Sequence, residues 1–197
     1  MEWLTTTTIL HDLRDFGNNA AWEGFVSRFR SPIVRFACSL GLTGTDAEDA
    51  AQETLTAFAQ AYRNGGYDPS KGRLKNWLFG IAYRQALATR RHLARRETQV
   101  AANGQTTSFW SAVPDETEAS KSWDTEWDRA LWDRCLSKVR VEVEPTTFRA
   151  FEMVVIANRT PAEAAGDLGM TRNAVFIAKH RVLTRVRALM REEEEAI

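Results

Sequence analysis

Apolar residues along this chain recur mostly at spacings of three and four, and the alternation typical of strands is scarce. That spacing gathers apolar side chains on one face of a helix, so it predicts an all-α protein. One helix is predicted before Pro32 and a second from Pro32, since proline fits a first helical turn. A third is predicted at Thr45, which has capping-box spacing to Glu48, and a fourth after Gly72. A bundle of about four helices is therefore predicted over residues 18–96.

A second helical module is predicted over residues 123–197, beginning with a helix that carries an aromatic face. Thr160 and Glu163 have capping-box spacing before a short helix that ends at Gly169. Thr171 is placed to cap a longer final helix. The predicted apolar stripe of that helix is Val175, Ala178, Val182, Val186 and Leu189.

Residues 97–122 hold Gly, Ser, Thr, Asn, Pro and acids without a clear period, which predicts a linker between the two modules. Phe109 and Trp110 are unusual in a passive tether, and they are candidates for docking on a partner or on the protein itself. Residues 1–17 form an N-terminal extension, whose run Thr5–Thr8 is interpreted as part of a disordered polar tail, with a phosphorylation site as the alternative.

The formal net charge is zero, but the charges are segregated along the chain. Residues 63–96 contain nine Lys or Arg against one acid, Asp68. Residues 115–128 contain six acids against Lys121 alone, and residues 171–191 contain six basic residues and no acid. Two basic segments separated by an acidic one indicate two modules that face nucleic acid. The alternative is that these segments are merely solvated helix faces.

Several function classes find no support in the sequence. There is no apolar run long enough to cross a membrane, and the N-terminus lacks signal-peptide features, so a cytoplasmic protein is expected. Cys38 and Cys135 form no CxxC unit, and the three histidines have no ligand spacing, so neither a metal nor a cofactor is expected. Without a phosphate loop or a nucleophile–base set, an enzyme is not expected either.

The segment from Thr160 to Arg191 is a helix-turn-helix candidate, because a short helix and a glycine turn precede a basic helix without acids. Arg and Asn can read base edges, whereas Lys179 and Arg185 are expected to meet phosphates. Glycine-containing helical hairpins are also common without DNA binding. The candidate DNA-facing residues are Thr171, Arg172, Asn173, Phe176, Lys179, His180 and Arg181.

An acidic block opens the third predicted helix. Three of its carboxylates recur at helical spacing and therefore share one surface. No accompanying His or apolar pocket pattern supports acid–base catalysis or metal binding, so docking of a basic protein partner is favoured. The block consists of Asp46, Glu48, Asp49, Gln52 and Glu53.

Aromatic and basic residues are mixed in the loop of residues 63–73 and in the helix after it. This composition suits single-stranded DNA, because bases stack on aromatic rings while cations follow phosphates. Trp77 shares an apolar stripe with Leu74 and Ile81, and a core position is favoured for that side chain.

Taken in order, these blocks resemble a known family. The runs Asp46–Glu53 (DAEDAAQE) and Gly72–Leu78 (GRLKNWL), with an Arg-rich helix end after them, resemble region 2 of sigma-70 factors. Leu168–Thr171 and Ala178–Leu183 are similar to region 4 of the same family. Two regions with a linker between them are the layout of the extracytoplasmic-function (ECF) group.

The resemblance implies an alternative sigma factor with two small helical domains, the region 2 bundle and the region 4 helix-turn-helix. Its partners would be bacterial core RNA polymerase and promoter DNA, with an anti-sigma protein or a Ser/Thr kinase as candidate regulators. The acidic block would dock on the polymerase, and the helix from Thr171 would read the −35 element. Capture of the melted −10 element would fall to Asn64, Tyr67, Lys71, Arg73, Lys75, Trp77 and Arg84.

Two departures from the family pattern concern the residues that would recognise the promoter, so the promoter sequence of the family is not transferred to this chain. An Arg-Asn pair and a later Asp are common after the WL block, but Tyr83, Arg84 and Ala88 stand there in this chain. The recognition helix also lacks the usual Thr-Val and Ser-Arg pairs. The alternative reading is an autonomous helix-turn-helix regulator that binds its operator without polymerase. The acidic block argues against that reading, because such a regulator has no need of it.

Overall fold

A computed structural model describes residues 6–15, 17–100 and 115–195, and these residues contain helices and connecting turns but no strand. The predicted all-α fold is thus confirmed. A π-helical turn, Glu152–Ile156, directly continues the sixth helix. The eight α-helices of the described residues are α1 Thr6–Asp12, α2 Asn19–Ser39, α3 Gly44–Arg63, α4 Leu74–Val100, α5 Glu116–Glu142, α6 Pro145–Phe151, α7 Pro161–Leu168 and α8 Arg172–Glu195.

The chain forms two compact units, which differ in extent from the predicted modules. The N-terminal unit spans Thr6–Ala130 and the C-terminal unit spans residues 131–195, so the boundary falls inside α5. Residues 115–122 of the predicted linker are almost entirely helical, and the helix that was predicted to open the second module contributes its first half to the N-terminal unit. Phe109 and Trp110 lie outside the described residues.

Aromatic rings of α2, α3 and α5 pack together in the core of the N-terminal unit, and rings of α4 pack against them. Phe25 of α2 stacks on Phe58 of α3 with ring centroids 4.2 Å apart. Phe29 of α2 stacks on Trp127 of α5 at 5.3 Å, and Phe36 of α2 meets Trp123 of α5 edge-on at 5.2 Å. Offset and edge-to-face ring pairs contribute beyond the area that they bury, so these contacts fix α5 against α2.

The buried tryptophan of α5 explains why the unit boundary lies where it does. Trp123 is 1% exposed, and its indole Nε1–H donates a hydrogen bond to the Lys75 carbonyl at 3.1 Å. Trp127 lies one helical turn further on, so both rings project from the same face of α5. The sequence pattern predicted this aromatic face correctly, but helical periodicity does not identify the core against which a face packs.

Pro32 lies inside one continuous helix, α2, and does not begin a second one, so the prediction of two helices here was wrong. A proline inside a helix costs roughly 3 kcal/mol, because it removes a hydrogen bond and crowds the preceding turn. Phe29, Ile33 and Phe36 continue one buried stripe across the proline. Burying each such side chain contributes about 1.5–3 kcal/mol, which outweighs the local penalty.

Two further local predictions were wrong. The run Thr5–Thr8 was interpreted as part of a disordered polar tail, yet Thr6–Asp12 is helical. Ile9 and Leu13 are buried, and the Leu10 carbonyl accepts a 2.6 Å hydrogen bond from the Tyr62 hydroxyl. These apolar contacts anchor α1 to the unit. The predicted capping box at Thr45 is absent, because α3 begins at Gly44 and its N-cap is Thr43, two residues before Thr45.

The C-terminal unit has its own core, formed by the second half of α5 with α6 and α8. Leu131, Cys135 and Val139 of α5 are buried among Phe148 and Phe151 of α6. The predicted stripe of α8 is confirmed, since all five of its residues are buried: Val175, Ala178, Val182, Val186 and Leu189.

We expect Trp123→Ala to reduce the free energy of unfolding by about 3–5 kcal/mol, through the lost burial and the cavity left behind. Val141→Ala is the control on the same helix, because Val141 is 84% exposed and should change stability by less than about 0.5 kcal/mol. Urea unfolding followed by far-UV circular dichroism measures both changes. Equal midpoints for the two variants would contradict the packing of α5 in the N-terminal unit.

Candidate polymerase and nucleic-acid interfaces

The acidic block lies on the outward face of α3. The opposite face of this helix is buried through residues that include Ala47, Ala51 and Phe58. Asp49, Gln52 and Glu53 are exposed, while Asp46 and Glu48 are half-buried. The five predicted docking residues therefore lie on one helix, where carboxylates and an amide oxygen can accept hydrogen bonds from a basic partner.

Glu48 differs from the rest of the block because it already has a cationic partner. Its Oε2 lies 2.6 Å from a guanidinium nitrogen of Arg30, which joins α3 to α2. Both side chains remain about half exposed to solvent, so the pair contributes little to stability. Asp46, Asp49 and Glu53 are the better residues with which to test a docking role.

The loop between α3 and α4 is organised around stacked aromatic rings. Tyr67 packs against Trp77 with ring centroids 5.0 Å apart and against Tyr62 at 6.3 Å. Trp77 also packs on Phe58 at 5.2 Å, which supports the core position favoured for it. Partial burial is the main cause that raises the pKa of the Tyr67 phenol, so this group remains a neutral hydrogen-bond donor near pH 7.

The polar side of the same loop is ordered by Asp68. Its Oδ1 accepts hydrogen bonds from the Ser70 hydroxyl at 2.7 Å and the Ser70 backbone N–H at 2.9 Å, and these bonds lower the pKa of Asp68. Lys71 lies 3.6 Å from the same carboxylate. Four predicted −10 residues are exposed around this loop and on α4: Asn64, Lys71, Arg73 and Arg84.

Lys75 is the predicted −10 residue whose charge is already engaged. Its Nζ lies 2.8 Å from Asp124 and 3.3 Å from Asp128, both in the first half of α5. On the same half of α5, Glu126 accepts a hydrogen bond from Arg35 Nε at 2.6 Å. The acidic segment of residues 115–128 thus neutralises part of the basic surface of this unit. Lys75 could reach a phosphate only after leaving two carboxylates.

Arg90 belongs to the basic run at the end of α4, but its role in the fold is internal. The side chain is 5% exposed, and its guanidinium donates a hydrogen bond to the Leu40 carbonyl at the end of α2. Burial lowers the pKa of Arg90, although a guanidinium stays protonated at neutral pH. Sequence reasoning counted this residue with the exposed cations, because a charge pattern does not distinguish a buried arginine from a surface one.

The start of α7 and the turn between α7 and α8 are built as predicted. Thr160 Oγ1 accepts from the Glu163 backbone N–H at 3.3 Å, while Glu163 Oε2 accepts from the Thr160 backbone N–H at 2.8 Å. These hydrogen bonds confirm the capping box. The Thr160 hydroxyl and the Thr160 backbone N–H each donate to Glu163 Oε2 at 2.8 Å, and these two bonds lower the pKa of Glu163. Gly169 ends α7 at φ +62°, and Thr171 Oγ1 accepts from the Ala174 backbone N–H at 3.1 Å. A left-handed residue and a side-chain cap together make the turn short.

The outward face of α8 carries the predicted −35 residues. Six of the seven are exposed, and Lys179 is half-buried. Phe176 and Ile177 are each 53% exposed on this helix. Sequence reasoning did not select Ile177, although its position outside the stripe of Val175, Ala178 and Val182 could have revealed it.

Arg185 was predicted to meet phosphate, but it is held within the C-terminal unit. Its Nε donates to Glu142 Oε2 at 2.7 Å, and a terminal nitrogen donates to Oε1 at 3.2 Å. This two-pronged pair lowers the pKa of Glu142 and raises that of Arg185. It links α5 to α8, so the predicted phosphate contact of Arg185 would require breaking a structural ion pair.

Within the described residues, no group of His, Cys, Asp and Glu is arranged to hold a metal ion. In the same part of the chain, no helix combines the length and the apolar character that a membrane span requires. The side chains that these surfaces present are carboxylates on α3, and cations with aromatic or apolar side chains on the other two surfaces.

The Glu142–Arg185 pair predicts a specific pH dependence. Because the pKa of Glu142 is lowered in the folded state, the pair stabilises the protein above the ordinary value of 4.5 and this contribution is lost as pH falls through the lowered pKa. Glu142→Gln should therefore cost up to about 1 kcal/mol near pH 7, since Arg185 is partly exposed, and much less near pH 3. Urea unfolding of both proteins at the two pH values measures this difference.

Glu144→Gln is the matched control, because Glu144 is exposed and its substitution removes the same charge. A gap between the wild type and Glu142→Gln that persists unchanged at acid pH would contradict the assignment to this ion pair.

Comparison with known families gives one match. Residues 25–96 match the model of sigma-70 region 2, which covers most of α2, all of α3 and most of α4. No curated protein and no solved structure matches the chain. The match includes the acidic block and the loop with its basic and aromatic residues, and it supports a member of the sigma-70 family with a role in promoter recognition.

Proposed function

We propose that this chain is an alternative sigma factor of the ECF group, which binds core RNA polymerase and directs it to promoters. The observation that carries the proposal is that the region 2 match coincides with the helices bearing both the acidic face of α3 and the basic loop before α4. The role is one of binding and positioning, and it assigns no covalent chemistry to the chain. Action on promoter DNA together with polymerase implies a cytoplasmic location.

The polymerase contact is assigned to the acidic face of α3. Acids near a helix N-terminus are favoured locally by the helix dipole, which accounts for Asp46. The dipole effect fades within the first turn, so it does not account for Asp49 and Glu53, which continue the acidic face into the second and third turns. An exposed acidic face of this length matches a basic protein surface by charge.

The −10 contact is assigned to the loop before α4 and to the adjoining helix surface. Exposed Lys71, Arg73 and Arg84 supply cations for phosphates, and the Tyr67–Trp77 pair supplies a rigid aromatic surface for an unpaired base. Unstacking a base costs a few kcal/mol, which base–aromatic stacking of about 1–3 kcal/mol and phosphate contacts would offset. Holding unpaired bases would trap the melted strand.

The −35 contact is assigned to α8. A short turn at Gly169 separates α7 from α8. Arg172 and Asn173 lie in the first helical turn of α8. In helix-turn-helix proteins, such residues reach base edges in the major groove. The C-terminal unit therefore carries the duplex-reading role, whereas the N-terminal unit carries the single-strand role. An anti-sigma protein or a Ser/Thr kinase would be a regulator in addition to these contacts.

The proposal predicts stoichiometric co-elution of the purified chain with bacterial core RNA polymerase in the absence of DNA. Asp46→Asn, Asp49→Asn and Glu53→Gln combined should weaken this binding at least tenfold, because three charge-assisted contacts are removed. Glu48 is left intact, so the ion pair with Arg30 is preserved. Size-exclusion co-elution and a fluorescence titration measure the change.

The control variant combines Glu118→Gln, Asp133→Asn and Glu144→Gln, three exposed acids outside α3 that give the same change in charge. Equal polymerase affinity for the two triple variants would contradict the docking assignment. Binding of the isolated chain to duplex DNA with no affinity for polymerase would instead favour the autonomous helix-turn-helix regulator.

Release of Lys75 gives a separate test of the −10 assignment. Asp124→Asn with Asp128→Asn removes both carboxylates from Lys75 and leaves the Arg35–Glu126 pair and Trp123 to hold α5. We expect this variant holoenzyme to bind single-stranded −10 DNA several-fold more tightly at low salt, since a cation becomes available for phosphate.

Adding Lys75→Ala to the double variant should abolish that gain. If the gain in DNA affinity remains after the Lys75→Ala change, the assignment of Lys75 to DNA is wrong. The gain would then be a general effect of the reduced negative charge.

A further inference from the structure

Phe176 and Ile177 form an exposed apolar pair on α8. Each is 53% exposed, whereas Val175 and Ala178, directly before and after them, are buried. The helical phase explains the contrast, since Val175, Ala178 and Val182 face the core at spacings of three and four. Phe176 and Ile177 therefore project outward, and about half of the surface of each residue remains exposed to solvent.

The surroundings of this apolar pair indicate what covers it. From Thr171 to Arg191 the chain contains basic residues but no acid. Asn173 and His180 lie one turn before and after Ile177 on the same exposed face. An apolar spot within a cationic and hydrogen-bonding surface is complementary to a polyanion that carries apolar groups among polar ones.

The major groove of duplex DNA has this character. Among the base edges in that groove, thymine alone presents a methyl group, and it does so between hydrogen-bonding atoms. We propose that Phe176 and Ile177 make this chain select thymine in its duplex element, by enclosing the C5-methyl groups. The inference rests on the proposed function of α8 and adds the kind of base that the helix selects.

The selectivity would come from desolvation and not from hydrogen bonding. A methyl group covered by an aromatic or branched side chain leaves water, and this contributes about a fourfold gain in affinity for each methyl. Neither Phe176 nor Ile177 has a side-chain donor or acceptor, so neither can distinguish bases through polar edge groups. The pair therefore predicts a preference that depends on methyl groups alone.

The test uses holoenzyme made from the full chain and core polymerase. A duplex is first selected by binding from a library with a randomised upstream segment. The selected sequence is then synthesised in two forms. One form keeps its thymines, and in the other every thymine of that segment is replaced by deoxyuracil. Uracil keeps every hydrogen-bonding group of thymine and lacks only the methyl, so the affinity ratio of the two duplexes isolates the methyl contribution.

We expect the wild-type holoenzyme to bind the thymine duplex about fourfold more tightly for each contacted methyl. Phe176→Ala and Ile177→Ala should each reduce that ratio toward one. Val141→Ala, which shortens another exposed apolar side chain, should leave the ratio unchanged. Far-UV circular dichroism and polymerase co-elution verify that the variants are folded, as expected for exposed positions.

Equal affinity of the wild-type holoenzyme for the two duplexes would overturn the inference and leave the proposed function intact. It would also point to a protein partner for Phe176 and Ile177. A ratio that both alanine variants retain would overturn the inference as well. Failure to bind core polymerase, or to enrich any duplex, would instead contradict the proposed function, and this inference with it.

Discussion

Burial of Trp123 and Trp127 against the aromatic face of α2 is the contact on which the N-terminal unit depends. The two indoles close a core that already contains Phe29 and Phe36, and one of them also hydrogen-bonds the backbone of α4. Without this contact the exposed face of α2 would be a large apolar patch, which a soluble domain rarely tolerates. The first half of α5 is therefore an integral part of the unit.

The same packing brings the acids of α5 onto the basic surface of the unit. Asp124 and Asp128 follow the helical phase fixed by the tryptophans, and this phase places both carboxylates beside Lys75. A formal net charge of zero is thus realised partly through specific local pairs. Cations that are paired inside the fold, such as Lys75 and Arg185, differ physically from exposed ones such as Arg73.

This division between paired and exposed charge bears on the proposed function. Association with DNA gains free energy from the counterions that each cation releases on meeting a phosphate. An exposed arginine can make that contact directly, whereas Lys75 must first give up two carboxylates. The N-terminal unit therefore offers DNA fewer cations than the basic residues of its sequence indicate, as long as the acids of α5 remain paired with Lys75.

The sequence by itself determined the helical fold and the local features whose physics acts over a few residues. The capping box of Thr160, the end of α7 at Gly169 and the buried stripe of α8 are all present as predicted. Caps, glycine turns and amphipathic periods depend on neighbours within about four positions, so they can be read without a tertiary structure. The candidate site residues were chosen from the same local patterns and from a family resemblance.

Only the tertiary structure decided which surfaces meet. It placed the aromatic face of α5 in the N-terminal unit, kept α2 continuous through Pro32 and buried Arg90 beneath the end of α2. It also joined Lys75 to acids about fifty positions away and left Ile177 exposed beside Phe176. Such outcomes depend on which residues distant in sequence bury one another or form ion pairs. A pattern of residue types along the chain does not predict which of these distant partners meet.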